Sequence, residues 1–437
     1  MTNVRYLGVQ CLIRIEEKGY SNLVLKEVID KNSLSGGDVS FLTSLIYTTL
    51  ERKITLEYIL SQYTLVPINR LDIEVRNILL VGLAQILFMD SIPSFAAINE
   101  AVKLAKSFKK SSSAGLVNAV LRKASSFNLL SLEDIPDEEE RLSIIYSVNR
   151  PLVSLIMSQY SNYEEILKGM FTKRVTTVRV NSLKTTVSDI LKQLQQDGLD
   201  PSLEELPFCL SLSRHPLQGY IPIEEGIIRI QSYCSQAVVH ALGLKKETTL
   251  IDLCSAPGGK TLTAAQEMGN TGRIIAFDRH ENRLKLLKER AKVEEITAID
   301  TVETKDSTIF DSSLESIADY VIADVPCSGY GQIHTKPELR EKKPEDFLSL
   351  YDTQLKILTN GAKYLKVGGK IVYSTCTINK KENEDIVERF LKENEGYEVV
   401  KDISINGFSN INGYMIKLPS VTDGEGFFFV CLERRTL

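Results

Sequence analysis

A chain of 437 residues exceeds what one hydrophobic core organises and predicts two or three domains. With 43% hydrophobic and 25% charged residues, no apolar run of the roughly twenty residues that cross a bilayer and no signal-peptide core near its start, it is expected in the cytoplasm. Seven Cys, an odd number without close regular spacing, fit a reducing compartment better than a disulfide framework, and a net charge of −5 excludes a uniformly basic nucleic-acid binder while leaving room for a local basic patch.

Residues 1 to about 130 read as consecutive amphipathic helices. Apolar residues recur at three- and four-residue intervals in VRYLGVQCLIRIEE, DVSFLTSLIYTTLERKITLEYIL, LDIEVRNILLVGLAQILF, SFAAINEAVKLAKSF and AGLVNAVLRKASSF. Pro67 and Pro93 stand in the breaks, with Asp38 and Ser94 as candidate N-caps. This stretch holds 15 Lys and Arg against 11 Asp and Glu, and Lys103, Lys106, Lys109, Lys110, Arg122 and Lys123 follow one another without an acid. Such a run is either a solvated face or a contact surface for a polyanion. Asn99, Glu100 and Asn118 beside it are expected to bond across the helix packing.

LEDIPDEEE, residues 132 to 140, reads as a linker and closes a first domain at 1–140. PLVSLIMSQYSNYEEILKGMF looks helical, VTTVRVNSLKTT contains a strand and VSDILKQLQQDGL is a helix, so residues 141–225 make a small α+β subdomain. From 226 to 437 strands alternate with helices as in a parallel sheet. The strands are TLIDLC, RIIAFD, AIDTVE, DYVIADV and KIVYSTC, then YEVV, YMIKL and GFFFVCLE, the last two as an antiparallel edge. The expected fold is multidomain: an all-α N-terminal domain, a small α+β linker subdomain and a C-terminal α/β Rossmann-like domain.

In a doubly wound sheet the ligand lies outside the carboxyl ends of the strands. LIDLCSAPGGK, residues 250–260, is a strand breaking into a glycine loop at a helix start, so Cys254, Ser255, Ala256, Pro257, Gly258, Gly259 and Lys260 are candidate cofactor-binding residues. Pro257, Gly258 and Gly259 keep bulk away from the backbone, and the helix offers free N–H groups to an anion. Asp278 ends the next strand about twenty residues on, which suits an acid bonding ribose hydroxyls. A nicotinamide enzyme has the same spacing, but its loop is GxGxxG. Cys327 and Cys376 follow two further strands and meet at one sheet edge, which points to a thiol acting in the site. Cys11, Cys209, Cys234 and Cys431 lie in no such motif and are expected in the core. His215, His240, His280 and His334 form no zinc pattern with them, so no metal is expected.

CSAPGGK, DVPCSG and STC, in that order, resemble the S-adenosylmethionine-dependent RNA cytosine-5 methyltransferases, whose usual forms are near CAAPGGK, DAPCSG and STC; Ser255 and Val325 are the departures. AAINEAVKLAK followed by GLVNAVLRK resembles the NusB-like helical RNA-binding domain. Together the resemblances span nearly the whole chain. They imply a class I methyltransferase domain, S-adenosylmethionine as cofactor and 16S ribosomal RNA as partner, read at a hairpin loop in the unassembled or partly assembled small subunit, where an unpaired base can be turned into a pocket. Because carbon 5 of cytosine is a poor nucleophile, a thiolate must first add at carbon 6. The resemblance gives that attack to Cys376 and assistance in release to Cys327. It has Asp324 hold the base edge as well as line the cofactor site, and Asp306 bond the adenine amine; a solvated loop Asp is the plainer reading of Asp306. Lys260 either orients catalytic groups or serves the loop. Arg179-Val180-Asn181 matches the family's RVN, with Arg179 expected against RNA, against the catalytic domain or at the surface. The family commonly has an acid at Ser232 and paired arginines at His334 and Thr335. A DNA cytosine-5 methyltransferase would attack with the cysteine of its Pro-Cys motif and lacks the Thr-Cys partner. A non-enzymatic RNA-binding ribosome assembly factor, and methylation of another RNA cytosine, are the alternative readings.

Overall fold

The computed structural model describes residues 3–436 except 35, 174, 214–216 and 218, so His215 lies outside the described residues. The chain forms two compact units, residues 1–171 with 333–344, and residues 172–332 with 345–437. The divisions thus fall elsewhere than at residues 140 and 225.

The first unit is helical: α1 (Val4–Lys18), α2 (Ser21–Lys31), α3 (Gly36–Glu51), α4 (Lys53–Ser61), α5 (Ile73–Phe88), α6 (Ser94–Ser107), α7 (Ala114–Ala124), α8 (Glu138–Tyr146), α9 (Arg150–Gln159) and α10 (Tyr163–Gly169). Helix α5 is apolar almost all round and is buried on all sides from Ile78 to Gln85, which makes it the axis of the unit. The 38–60 stretch, expected as one helix, breaks at Arg52, whose guanidinium lies 3.9 Å from the Phe171 ring centre and 4.9 Å from that of Phe88. Neither expected N-cap acts as one. Asp38 sits inside the first turn of α3, and Ser94 is the first residue of α6 after Pro93. The acidic linker is in part a helix start: Asp137 accepts from the Glu140 N–H at 2.8 Å, and Glu138, Glu139 and Glu140 occupy the first turn of α8, where the helix dipole favours negative charge. Helices α8 to α10 stay with the first unit because α8 packs on α4, where Thr55 donates to the Ile144 carbonyl.

The second unit holds two sheets. The smaller is antiparallel, in the order β2 (Pro201–Leu203), β3 (Cys209–Leu212), β1 (Thr176–Val180), β4 (Ile228–Ile230), with α11 (Val187–Gln196) and α12 (Ile221–Glu224). Only β1 was legible; the others, at three or four residues, are too short to show a period. The larger sheet contains β5 (Thr249–Asp252), β6 (Arg273–Asp278), β7 (Ile299–Thr304), β8 (Ala318–Asp324), β9 (Leu365–Thr375), β10 (Tyr397–Val399), β11 (Ser409–Ile411), β12 (Tyr414–Lys417) and β13 (Phe427–Arg434). Its order is β11-β12-β13-β9-β8-β5-β6-β7, with β10 also paired to β13; β5 to β9 run parallel, and β13 is antiparallel to β9. Helices α13 (Tyr233–His240), α14 (Gly259–Glu267), α15 (Glu281–Val293), α16 (Leu348–Tyr364) and α17 (Glu384–Glu393) complete the unit. The expected edge is displaced: β13 lies inside the sheet, and the hairpin β11–β12 turns at Asn412-Gly413, both with positive φ, to form the outer strand. Because β6 and β8 flank β5 on opposite sides, the strand order reverses there, and in sheets of this kind a ligand site lies outside the carboxyl ends of the two strands at such a point, here β5 and β8.

Candidate active site

The loop after β5 is held from three directions. Ser255 donates to the Phe277 carbonyl through its backbone N–H at 2.8 Å and its hydroxyl at 2.9 Å. Arg283 of α15 donates to the Ala256 carbonyl at 2.6 Å. The Asp278 carboxylate accepts from the Ala256 N–H at 3.1 Å and the His280 N–H at 2.9 Å. Gly258 has φ +103, and a Cβ there would meet Leu287 of α15 at 3.0 Å. Only glycine suits that position. Helix α14 begins at Gly259 with no side-chain cap, so its first N–H groups are open to an anionic ligand.

These residues fit the methionine and ribose ends of S-adenosylmethionine. Each Asp278 oxygen has one donor from the chain and a second lone pair for a ribose hydroxyl. Asp306 is held by its own turn, accepting from the Thr308 N–H at 3.0 Å and hydroxyl at 2.7 Å, which draws its carboxyl below the usual range; Arg279 lies 3.6 Å from its other oxygen. The Lys305 N–H donates to the Asp278 carbonyl and the Ser307 hydroxyl to that of Leu253, so the loops after β5, β6 and β7 are tied together. Cys254 lies in the loop, and burial followed by repulsion from Asp252, Asp324 and Asp278 pushes its thiol well above the ordinary value.

The second half of the site lies at the ends of β8 and β9, where Asp324 pairs in register with Ser374. Asp324 accepts from Lys260 Nζ at 2.7 Å and from the Ser374 hydroxyl at 2.7 Å. Burial pulls the Lys260 ammonium down, but attraction to Asp324 and their hydrogen bond outweigh it and leave its pKa above the ordinary value. Lys260 thus pairs with the end of β8 as well as belonging to the loop, and its Nζ lies 5.5 Å from the Phe427 ring centre. Beyond the paired residues the two strands release Cys327 and Cys376, whose sulfurs are 3.3 Å apart. The hydrogen bond to Cys376, together with burial, pushes the Cys327 thiol well above its usual value. Cys327 and Cys376 are half-buried residues, as is Cys254, whereas Cys11, Cys209, Cys234 and Cys431 are buried, as expected of core thiols.

Other expected contacts resolve differently. Arg179 is 1% exposed, and it donates to Gln231 at 3.1 Å and to Gln266 and Glu294, so it joins the small sheet to α14 and to the end of α15. Ser232 caps α13 by accepting from the Ser235 N–H at 3.1 Å, doing what an acid would do there. His334 is buried within the helical unit. Asn99, Glu100 and Asn118 do not bond across the packing: Asn99 is exposed, Glu100 pairs with Lys103 in its own helix at 2.7 Å, and Asn118 accepts from Arg122 one turn on at 3.2 Å. Positions on the outer face of α6 and α7 explain this. Lys103, Lys106, Lys109, Arg122 and Lys123 are exposed on these helices and the turn after α6, while Lys110 is drawn to Asp72 at 2.9 Å and Glu74 at 3.5 Å. Sequence reasoning missed Asp252, Arg283 and Glu382. Asp252 stood inside the LIDLC run, but nothing local to the other two announced them. Among the described residues no cluster of His, Cys, Asp and Glu suits a metal ion, and no helix is long and apolar enough to cross a membrane.

Residues 239–433 match the family model described as 16S rRNA methyltransferase RsmB/F, and residues 2–126 match that of the NusB family. The probable ribosomal RNA small subunit methyltransferase B of Bacillus subtilis (strain 168) is 33% identical to this chain over 99% of both. The crystal structure of PH0851 matches with a TM-score of 0.85 at 24% identity over 99% of each chain. That of NSun6 from Pyrococcus horikoshii with SFG matches with a TM-score of 0.59 at 20% identity, over 66% of this chain and 99% of that one. At these identities the two structures speak for the fold alone.

Proposed function

Because the chain belongs to the ribosomal RNA small subunit methyltransferase B family, with a NusB-type helical region before its methyltransferase fold, we propose that it methylates carbon 5 of a cytosine in 16S ribosomal RNA through a covalent adduct with Cys376. The observation that carries this reading is the pair of sulfurs 3.3 Å apart beside the Lys260–Asp324 pair. Two thiols in contact suit a reaction that must make a sulfur–carbon bond and then break it.

Bound S-adenosylmethionine supplies the electrophilic methyl group, held by the 254–260 loop, Asp278 and Asp306. Asp324, steadied by Lys260 and Ser374, faces the cytosine edge and favours attack by sharing a proton at ring nitrogen 3. Cys376, its proton lost to solvent, adds to carbon 6 as the thiolate; the ring electron pair passes to carbon 5, which takes the methyl while the sulfonium sulfur keeps the bonding pair and leaves as a thioether. Removal of the carbon 5 proton then returns the pair and expels Cys376. Cys327, once its own proton has passed to solvent, takes the carbon 5 proton as the thiolate. Before attack the hydrogen bond between the two sulfurs and the charge of a Cys376 thiolate raise the Cys327 thiol, but once the Cys376 sulfur is bonded to carbon neither holds it up. The thiolate needed for release becomes easier to form only after the adduct exists.

The exposed lysines and Arg122 on α6 and α7 are the proposed contact to RNA phosphates, a hairpin loop supplies the unpaired cytosine, and the cytoplasm is the compartment. A single-turnover assay with labelled S-adenosylmethionine and unmodified 16S ribosomal RNA tests the reading. Cys376→Ala should abolish both methyl transfer and the adduct, and Cys327→Ala should trap a protein–RNA adduct that survives denaturant. The reverse pattern would assign attack to Cys327, and methyl on another atom would overturn the cytosine-5 reading.

A further inference from the structure

Register pairing between β8 and β9 ends at Asp324 and Ser374, yet the two cysteines lie two and three residues beyond it. What holds them there is a buried carboxyl group, that of Glu382, which has no exposed surface. One of its oxygens accepts from the Ser328 N–H at 2.8 Å and Gln354 Nε2 at 3.0 Å. The other accepts from the Ser328 hydroxyl at 2.5 Å and Asn379 Nδ2 at 3.1 Å. Four donors on two oxygens match the acceptor capacity of a carboxylate. Gln354 of α16 also donates to the Pro326 carbonyl at 2.9 Å, so the residues on either side of Cys327 are gripped by one linked pair of side chains. The Ser328 hydroxyl lies 2.7 Å from that of Thr377, the residue after Cys376. Burying such a group is costly, and a core needing only stability would hold apolar side chains there.

The grip is unequal. Cys376 directly follows β9, whose Thr375 is paired with Phe428 of β13, and its carbonyl accepts from the Gly331 N–H at 3.0 Å. The backbone beside Cys327 is bonded to Glu382 itself.

We propose that Glu382 is a positioning residue that fixes the Cys327 sulfur against that of Cys376, and thereby sets the rate at which the covalent adduct resolves while leaving its formation nearly unchanged. The claim about resolution rests on the two-cysteine reading given above; the claim about sulfur spacing does not. Glu382→Gln replaces one acceptor oxygen with a donor and sets it against two N–H or O–H groups.

The test combines two measurements on the full chain, with circular dichroism to confirm folding. In single turnover on 16S ribosomal RNA, Glu382→Gln should resolve its adduct slower by on the order of tenfold to a hundredfold. Adduct formation and S-adenosylmethionine affinity should stay near wild type. Without RNA, diamide should join Cys327 to Cys376 more slowly in Glu382→Gln than in wild type, because the sulfurs must close from 3.3 Å to about 2.05 Å. Ser328→Ala, which removes one of the four donors, should shift both rates the same way by less and serves if Glu382→Gln does not fold. Crosslinking at the wild-type rate overturns the spacing claim. Wild-type resolution, where Cys327→Ala does trap adduct, overturns the claim about release. No trapped adduct with Cys327→Ala overturns the two-cysteine reading itself.

Discussion

At the scale of single residues, burial decides whether a charged group is an asset. Asp252 ends β5 beneath the cofactor loop, is 1% exposed and accepts from the Thr261 hydroxyl at 2.7 Å. Burial raises its pKa from 3.8 to about 7, with the Thr261 bond opposing and Asp324 adding to the rise. Since the folded-state value lies above the unfolded one, its contribution to stability is complete below about pH 4 and is lost as pH rises through about 7. Asp252→Asn keeps an acceptor for Thr261 and has no charge to bury. Urea unfolding without cofactor should therefore find the variant more stable than wild type at pH 8 by on the order of 3 kcal/mol, and nearly equal at pH 4. A difference that does not change with pH would show that the carboxyl is not the cause. The positions of Asp278 at a strand end, and of Cys327 and Cys376 just beyond two others, were legible because each lies in a distinctive short motif. Asp252 was overlooked because an Asp in an apolar run gives no sign of whether its carboxyl is solvated. Arg179 was ambiguous for the same reason: its partners Gln266 and Glu294 lie 87 and 115 residues away.

At the scale of elements, helix starts and helix faces carry the proposed binding functions. The α14 start depends on Gly258, since an alanine would adopt φ +103 only under strain and would press on Leu287. Gly258→Ala should weaken S-adenosylmethionine binding by about 1 to 3 kcal/mol in isothermal titration. Unchanged affinity would remove the loop from the cofactor site. On α6, α7 and the turn between them, Lys106, Lys109 and Lys123 are exposed, and Lys109 has φ +59, which asparagine tolerates well. The triple variant Lys106→Gln, Lys109→Asn, Lys123→Gln should bind ribosomal RNA more weakly. Its slope of log affinity against log salt should be flatter by about 0.7 to 0.9 for each phosphate that the variant no longer neutralises. An identical slope would mean that this face is only solvated.

At the scale of the whole molecule, the chain leaves the catalytic unit after Gln332, contributes residues 333–344 to the helical unit and returns at Glu345. Within that segment Arg340 is 1% exposed, donates to the carbonyls of Tyr146 at 2.8 Å and Met170 at 2.6 Å, and lies 4.1 Å from the Phe171 ring centre. Burial lowers its pKa to about 9. Glu338 accepts from the Ser21 hydroxyl at 2.8 Å, and Glu341 pairs with Lys53 at 2.8 Å, so the segment is bonded to α2 and α4 as well. Arg340→Met fills the same space but leaves two carbonyls without donors. It should lower the stability of the helical unit by about 2 to 4 kcal/mol in chemical unfolding followed by circular dichroism. A change below about 0.5 kcal/mol, the usual range for surface substitutions, would show that the segment is not an integral part of that unit.

The sequence alone determined the helical repeat of the first 124 residues apart from α2, the parallel strands β5 to β9, the glycine loop and the two strand-end cysteines. Each of these is written within a window of a few residues, in periodicity or in a motif whose backbone needs those residue types. Only the tertiary structure decided that the sulfurs stand 3.3 Å apart, that Lys260 reaches Asp324, that Glu382 grips the loop after Cys327 and that residues 333–344 belong among the helices. It also supplied β2, β3, β4 and β11, whose three or four residues are held by partners and not by any pattern of their own. The reason is common to all of them. Local sequence fixes conformation over one or two turns of chain, whereas distances between groups such as Cys327 and Cys376, 49 residues apart, are set by packing that no short stretch encodes.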